Sequence, residues 1–281
     1  MSVQDDINKA LDELSDKMLG DATRSADDVI DKVDSYRKEI SGILLEYSNK
    51  DGTISERRLR SLLRELDEIE DGIGEEIYEH LESSVEETSN AFSKEIVGLL
   101  IAGLGVAVVF GGKDKRPSND SLTKEITDFV FNKEINGIKL SNRINVVSGI
   151  LRDEIQKAIR QGVNSRESIT KISQRVKKSF DKTVWQIKRI ITTEIPVAFR
   201  KGIALIGGKA GIIKAVKIID NRGRHKYHES HECYRLAEQD KYGMGKGVYK
   251  PSDSFIFNPH PQCSAYFHYI LKDDELPKED D

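Results

Sequence analysis

A single apolar stripe at helical spacing constrains the fold of this chain more than any other feature. Aliphatic residues recur every three or four positions between residues 59 and 85, and Glu and Asp crowd the positions between them. This spacing gathers apolar side chains on one face of a helix. The stripe predicts a long helix packed against other helices, of this chain or a neighbour. Its members are Leu59, Leu62, Leu63, Leu66, Ile69, Ile73, Ile77, Leu81 and Val85.

Boundary residues divide the region around this stripe. Thr53 and Glu56 have the spacing of a capping box, which predicts a helix start there. Residues 49–52 (Asn-Lys-Asp-Gly) predict a turn before it. Residues 3–50 carry apolar residues at helical spacing, and Gly20 followed by Asp21 interrupts the pattern. We therefore predict two helices in residues 3–50.

Residues 96–112 form an uncharged, apolar, glycine-rich run. A membrane span needs about 20 apolar residues, so this run is short. Gly98 with Ala102, and Gly103 with Ala107, have the spacing that lets helices approach closely. One interpretation is a buried helix in a bundle or an oligomer interface, and another is a segment that enters a membrane under special conditions. The candidate contact residues are Leu99, Leu100, Ile101, Leu104, Val108 and Phe110.

Composition excludes several protein classes. Hydrophobic residues make up 37% of the 281 residues, which is too high a fraction for a wholly disordered chain. Charged residues make up 33%, which is too high a fraction for a multispanning membrane protein. Two cysteines are too few for a disulfide scaffold and fit a reducing compartment. The acidic, amphipathic N-terminus leads us to expect no secretory signal peptide.

The net charge of −4 is a sum of opposing blocks. Residues 1–100 carry −14, residues 101–150 carry +2, residues 151–250 carry +13 and residues 251–281 carry −5. This asymmetry suggests that one half of the chain touches a polyanion or an acidic partner.

A basic helical region is predicted in the second half of the chain. Asn164 and Glu167 could cap a helix whose outer faces are basic, and Pro196 is expected to kink or restart the last helix. The basic face could bind phosphates, or it could be solvated or face the acidic helices of this chain. The candidate contacts with nucleic acid or with an acidic partner are Lys171, Arg175, Lys177, Lys178, Lys182, Lys188 and Arg189.

The sequence pattern changes after Gly211. Residues 212–219 and 264–271 alternate as strands do, and residues 242–250 are rich in glycine. We predict an α+β fold that is mostly α-helical, with long N-terminal helices and a small C-terminal α+β module. The predicted segments are an acidic helical region (1–95), an apolar helix and loop (96–118), a basic helical region (119–207), the α+β module (208–272) and an acidic tail (273–281).

Histidine and cysteine concentrate in this module. Five of the six histidines and both cysteines lie between residues 225 and 268. His231 with Cys233, and His260 with Cys263, form two pairs about 30 residues apart that could complete a tetrahedral zinc site. Two buried thiols, or a disulfide between Cys233 and Cys263, are the alternatives.

Catalytic patterns are weak by comparison. A Cys–His nucleophile pair could be assembled here, but no oxyanion hole or orienting carboxylate stands at a recognisable spacing, and the sequence contains no Walker motif. We therefore expect no enzyme activity. A metal-dependent nuclease or a toxin-like effector that uses the His/Cys cluster is the alternative.

Four segments of the C-terminal region resemble the Mu F-like minor head proteins of tailed phages, the phage head morphogenesis family. They are the helix with Thr193-Glu194 and Arg200, the strand at 216–219, Cys233 with Leu236, and the Pro-His-Pro-Gln-Cys run at 259–263. The last run is the most distinctive. Ser230 and Ala265 stand where the family has further cysteines, and Thr192 stands where it has arginine.

The resemblance implies a structural role. Members of this family lie in few copies inside the capsid and associate with the portal, and they support head assembly, DNA packaging or DNA ejection. For this chain the implied partners are the portal protein, a scaffold or major capsid protein and packaged double-stranded DNA, with self-association and transient membrane contact as further possibilities. The implied location is the virion interior near the portal, after the host cytoplasm.

Overall fold

The computed structural model describes residues 2–221 and 228–272, without the side chain of His228. The fold is mostly α-helical with long N-terminal helices and a small C-terminal sheet, as predicted. The helices are α1 (Val3–Glu46), α2 (Glu56–Leu104), α3 (Val106–Phe110), α4 (Asn119–Asn132), α5 (Leu140–Asn164), α6 (Ile169–Lys209) and α7 (Glu232–Glu238). The strands are β1 (Glu134–Ile135), β2 (Ile138–Lys139), β3 (Ile213–Ile219), β4 (Val248–Tyr249) and β5 (Tyr266–Leu271).

The chain forms two compact units, each assembled from separate segments. Unit 1 comprises Met1–Thr23, Ser83–Asn132 and Thr192–Asp281, and unit 2 comprises Arg24–Glu82 and Lys133–Ile191. Helices α1, α2 and α6 contribute residues to both units. The predicted acidic tail, residues 273–281, lies outside the described residues.

The prediction of two helices in residues 3–50 is wrong, because α1 is continuous from Val3 to Glu46. Met18, Ala22 and Ala26 are buried at four-residue spacing on both sides of Gly20, so the packed face continues through the glycine. Glycine costs a helix interior about 1 kcal/mol relative to alanine, and this packed face outweighs that cost.

Two predicted helix starts are also wrong. The Thr53 hydroxyl and amide both donate to Oδ1 of Asp51, at 2.8 and 3.0 Å, and α2 begins only at Glu56. Asn164 is the last residue of α5, and α6 begins at Ile169. In both places the polar side chain belongs to the preceding turn or helix, which the spacing of residue types does not reveal.

The apolar run at 96–112 is divided between two helices. Helix α2 ends at Leu104, and Gly105 adopts φ 79°, which favours glycine, before α3 begins. Of the six candidate residues, Leu100, Leu104 and Phe110 are buried in the chain's own core, Leu99 and Ile101 are half-buried, and Val108 is 43% exposed. Within the described residues, no helix combines the length and the apolar character needed to cross a membrane.

Helix α6 continues through Pro196, so the predicted restart of the helix at this proline is wrong. Ile195, Val197, Ala198 and Phe199 around the proline are fully buried. Packing on several sides offsets the backbone hydrogen bond that proline removes.

A short hairpin interrupts the predicted helical region of residues 119–207. Strands β1 and β2 pair through Asn136 and Gly137, whose φ angles of 54° and 75° are those of a tight hairpin turn. The Asn-Gly dipeptide signals such a turn in the sequence, and the helical patterns on either side obscured it.

The C-terminal sheet of unit 1 confirms the two predicted strands. Its order is β4-β3-β5 and all pairs are antiparallel. Side chains of α1 satisfy the outer edge of β5: the amides of Tyr269 and Leu271 donate to Asn8 and Gln4, at 2.9 and 3.0 Å. This contact covers an edge that would otherwise expose unpaired backbone groups.

Candidate metal centre in the C-terminal module

Two segments of unit 1 bring the predicted metal ligands together. His231 occupies the N-cap position of α7 and Cys233 lies in its first turn. His260 and Cys263 lie on the loop that leads into β5. Cys233 and Cys263 are both buried and both are free thiols, so the disulfide alternative is not the state of this structure.

The ligand atoms of His231, Cys233 and His260 all lie within 4.8 Å of one another. Nε2 of His260 is 3.1 Å from Sγ of Cys233, and the two imidazole rings lie 4.6 Å apart. Ligands of a tetrahedral zinc ion lie about 3.6 Å apart, as bond lengths of about 2.0–2.3 Å require. The cluster can therefore bind a metal ion after small side-chain adjustments.

The orientation of the His260 ring fits metal binding. Its Nδ1 lies 2.9 Å from the carbonyl oxygen of Pro261, so Nδ1–H donates to that carbonyl and Nε2 presents its lone pair to Cys233. Metal-binding histidines usually donate their second ring nitrogen to a carbonyl or carboxylate, which fixes the tautomer. Pro261 thus supplies the supporting contact expected at such a site.

Cys263 is the fourth predicted ligand, and it is buried beside Cys233 and His260. It is not one of the three residues whose ligand atoms lie within 4.8 Å of one another. Its thiol hydrogen-bonds to Cys233 and His260. The hydrogen bond from Cys233 lowers the pKa of Cys263 well below the ordinary thiol value, and the nearby guanidinium of Arg200 lowers it further. The same hydrogen bond, in which Cys233 is the donor, raises the pKa of Cys233. Burial disfavours charge on His260, but its bonds to Cys263 and Pro261 outweigh this and raise the pKa of His260.

Arg200 fixes the loop that carries His260 and Cys263. Its guanidinium, fully buried, donates to the carbonyl oxygens of Phe257, Cys263 and Ala265 at 2.6, 2.9 and 2.7 Å. Burial lowers the pKa of Arg200, while negative charge on the two cysteines and on buried Glu194 favours its charged form. Arg200 therefore binds the backbone of the loop and also attracts negative charge on Cys233 and Cys263.

Helix α6 holds the same loop at a second point. The amide of Gln262 donates to Oγ1 of Thr193 at 3.0 Å, and its side chain donates to Thr192 at 3.1 Å. Gln262 has φ 56°, a conformation that costs a non-glycine residue energy and that these two bonds help to stabilise. The positions of Thr193 and Arg200 on one helix thus set the position of the ligand-bearing loop.

The sequence pattern pointed to His231, Cys233 and His260, which the structure brings together, but it missed the anchoring roles of Arg200 and Thr193. Glu194, Arg200 and Lys201 are the only charged residues between positions 190 and 206. A charge that is buried among so many apolar residues needs several hydrogen bonds, but the pattern does not distinguish buried Arg200 from half-buried Lys201. The acceptors of Arg200 lie 57 to 65 residues away in the chain, so their identity depends on the fold.

The other histidines of the module lie away from the cluster or outside the described residues. His268 contacts Oδ1 of Asp12 at 2.6 Å. His225 lies outside the described residues, as does the side chain of His228.

The predicted basic face of residues 171–189 is partly neutralised within unit 2. Arg175 forms a two-bond pair with Glu167, at 2.7 and 2.8 Å. Lys182 and Lys188 pair with Glu154 and Asp27, at 3.3 and 2.8 Å. Lys177 and Lys178 are exposed. The alternative in which this face meets the acidic N-terminal helices of the same chain therefore holds for Lys188, whose partner Asp27 lies in α1.

Comparison with known proteins identifies no relative: no protein-family model, no curated protein and no solved structure matches this chain significantly.

Proposed function

We propose that this chain is a minor head protein of a tailed phage, and that a zinc ion holds its C-terminal module together. In this proposal it lies inside the capsid near the portal and supports head assembly, DNA packaging or DNA ejection. Its partners are the portal protein, a scaffold or major capsid protein and packaged DNA. It acts as a structural component and catalyses no reaction.

The convergence of the four segments that resemble Mu F-like proteins supports the proposal. They span residues 193–263 and all belong to unit 1. Thr193 and Arg200 bind the 259–263 run through Gln262 and Cys263, and His260 contacts Cys233. The strand at 216–219 is the central strand of the sheet. The residues that carry the resemblance on α6, α7 and the 259–263 run are therefore linked through direct contacts.

The donor set supports a structural zinc ion. Two thiols and two imidazoles are the ligands that closed structural zinc sites use. Catalytic zinc sites instead keep one position open for water, and Cys263 lies next to Cys233 and His260 where it can close that position. When bound, the ion supplies four bonds that join α7 to the 259–263 loop. His231 and Cys233 would hold it from one side, and His260 and Cys263 from the other.

The small size of the module explains why it needs such a link. Its sheet has three strands, and β4 contains only two residues. Small modules gain little free energy from a hydrophobic core and commonly depend on a metal or a disulfide. A zinc ion can supply that stabilisation in the host cytoplasm, where disulfides are rare.

The protein composition of the phage particle tests this proposal. The gene product is tagged in the phage genome that encodes it, and virions and procapsids are purified and analysed by quantitative mass spectrometry. We expect a few copies per particle, together with co-purification of the portal protein from detergent-free lysates. Absence of the chain from both particles, with no portal association, would overturn the proposal. A nuclease assay on the purified protein separates the alternative, because metal-dependent DNA cleavage abolished by Cys263→Ser would identify an enzyme.

A further inference from the structure

Unit 2 carries an arginine cluster at the start of α2, and the proposed zinc-binding module does not involve it. Residues 57–64 (Arg-Arg-Leu-Arg-Ser-Leu-Leu-Arg) contain four of the twelve basic residues in the acidic first hundred positions. Arg60 and Arg64 stand one turn apart and share a helix face. Like charges at this spacing destabilise a helix by a few tenths of a kcal/mol. A bound anion would relieve that repulsion.

Helix α5 contributes a third arginine to the same place. Arg60, Arg64 and Arg160 line a groove of about 500 Å³ between α2 and α5, which we call the arginine groove. Its remaining lining residues are Glu56, Leu59, Leu63 and Asp67. Leu63 is buried and Leu59 is half-buried, so the groove has an apolar floor beneath three exposed guanidinium groups.

Within the described part of the chain, these three arginines form no ion pair. Neighbouring cations of unit 2 do: Arg152 binds Asp71 at 2.6 Å and Lys32 binds Glu76 at 2.5 Å. Among the described residues, no carboxylate in direct contact therefore offsets the charges of the three arginines that share this groove.

The two carboxylates of the groove affect it differently. Asp67 accepts a hydrogen bond from Gln156 at 2.8 Å and lies 3.8 Å from Arg152, so part of its charge is already neutralised. Glu56 is exposed at the first turn of α2 and opposes an incoming anion. The arginines outnumber the carboxylates, and the groove carries a positive balance.

The geometry points to a phosphate-binding site, and we propose that the arginine groove binds the phosphate group of a phosphate-bearing ligand. A guanidinium presents two parallel N–H groups that match two phosphate oxygens. Three guanidinium groups around one groove can surround the remaining oxygens. The ligand is either a soluble phosphate ester or the phosphodiester backbone of nucleic acid. The inference does not depend on the proposed function, because either source presents the same oxygens to the arginines.

The test uses the full chain and two probes, pyrophosphate and a 20-base-pair DNA duplex, in isothermal titration at low salt. Arg60→Gln, Arg64→Gln and Arg160→Gln are expected to lower pyrophosphate affinity about tenfold each. Glu56→Gln is expected to raise it about twofold to threefold, because it removes the opposing charge. Circular dichroism confirms that each variant is folded.

A charge-matched control separates the groove from bulk charge. Lys50→Gln, Lys139→Gln and Lys157→Gln together remove the same three charges from exposed positions of unit 2 that do not line the groove. Loss of affinity in the arginine triple variant but not in this control supports the proposal. If the arginine triple variant also loses DNA binding, the phosphate group belongs to a nucleic acid. If it keeps DNA binding, the ligand is a soluble phosphate ester. Equal losses in both triple variants, or no pyrophosphate binding by the wild type, would overturn it.

Discussion

Nε2 of His260 lies 3.1 Å from Sγ of Cys233, although 27 residues separate them in the chain. The contact joins the first turn of α7 to the loop before β5, and Arg200 fixes the backbone of that loop from α6. The candidate metal centre therefore connects three elements of unit 1. This arrangement makes the stability of the module depend on a few polar groups.

The first prediction concerns zinc content. We expect one zinc ion per purified chain, measured by mass spectrometry of the metal, and a fall in thermal stability when a chelator removes it. A ligand present at a thousand times its dissociation constant stabilises a fold by about 4 kcal/mol, so the loss is large. Cys233→Ser and Cys263→Ser should each abolish stoichiometric zinc.

His268→Gln is the matched control for zinc binding, because His268 lies in the same unit but contacts Asp12. It should keep one zinc ion per chain. Wild-type protein expressed in zinc-supplemented medium that contains no zinc would refute the assignment.

The second prediction concerns Arg200. Replacing it with methionine removes a buried charge together with its bonds to three carbonyl oxygens, which should cost about 3–5 kcal/mol of unfolding free energy. Arg200→Lys should also be strongly destabilising, because an ammonium group lacks the planar fork that reaches three acceptors. Denaturant unfolding gives the free energies, and hydrogen exchange at residues 257–265 localises the effect. A lysine variant as stable as the wild type would contradict the anchoring role.

The third prediction concerns pH and Glu70. Its buried carboxyl accepts a hydrogen bond from Gln156 at 3.0 Å and lies near Asp67, Asp71 and Arg152. Burial raises the pKa of Glu70 from 4.5 to about 7. Between these values the folded chain keeps a proton that the unfolded chain releases, so stability falls as pH rises through that window, by about 3 kcal/mol in total.

Glu70→Gln removes this dependence, since the amide stays neutral. The variant should gain stability relative to the wild type at pH 8, and the gain should shrink toward pH 5, as measured by urea titrations at several pH values. Glu79→Gln, at an exposed position of the same helix, should change stability by less than about 0.5 kcal/mol. A Glu70→Gln effect that is constant with pH would show that Glu70 ionises normally.

The fourth prediction compares two helix glycines. A Cβ atom on Gly202 would lie 2.2 Å from Cε2 of Phe92, whereas one on Gly98 would meet nothing within 4 Å. Gly202→Ala should therefore destabilise unit 1 by about 1–3 kcal/mol through overpacking. Gly98→Ala should stabilise it by up to about 1 kcal/mol through helix propensity. Thermal unfolding of the two variants shows whether each one is destabilised or stabilised. A stabilising effect of Gly202→Ala would contradict the close packing of Gly202 against Phe92.

The spacing of apolar residues was sufficient to predict a helix or strand where one face of that element is buried. Seven of the nine residues in the stripe from Leu59 to Val85 are buried on α2, with Leu59 and Ile69 half-buried, and the alternation at 212–219 became β3. Local pattern failed at boundaries, because Gly20 and Pro196 are helix breakers by propensity and packing on both sides of them overrides it. The helix caps failed similarly, since Thr53 bonds to Asp51 instead.

The chain's amino-acid order by itself determined its helical periodicity, its charge blocks and the presence of four soft ligands in the last sixty residues. These properties depend on spacing within a few turns of chain. Only the tertiary structure decided that His231, Cys233 and His260 meet, that Arg200 anchors their loop and that Arg160 joins Arg60 and Arg64. Such contacts join residues tens to a hundred positions apart, and they form only because the packing of helices and sheet brings those positions together.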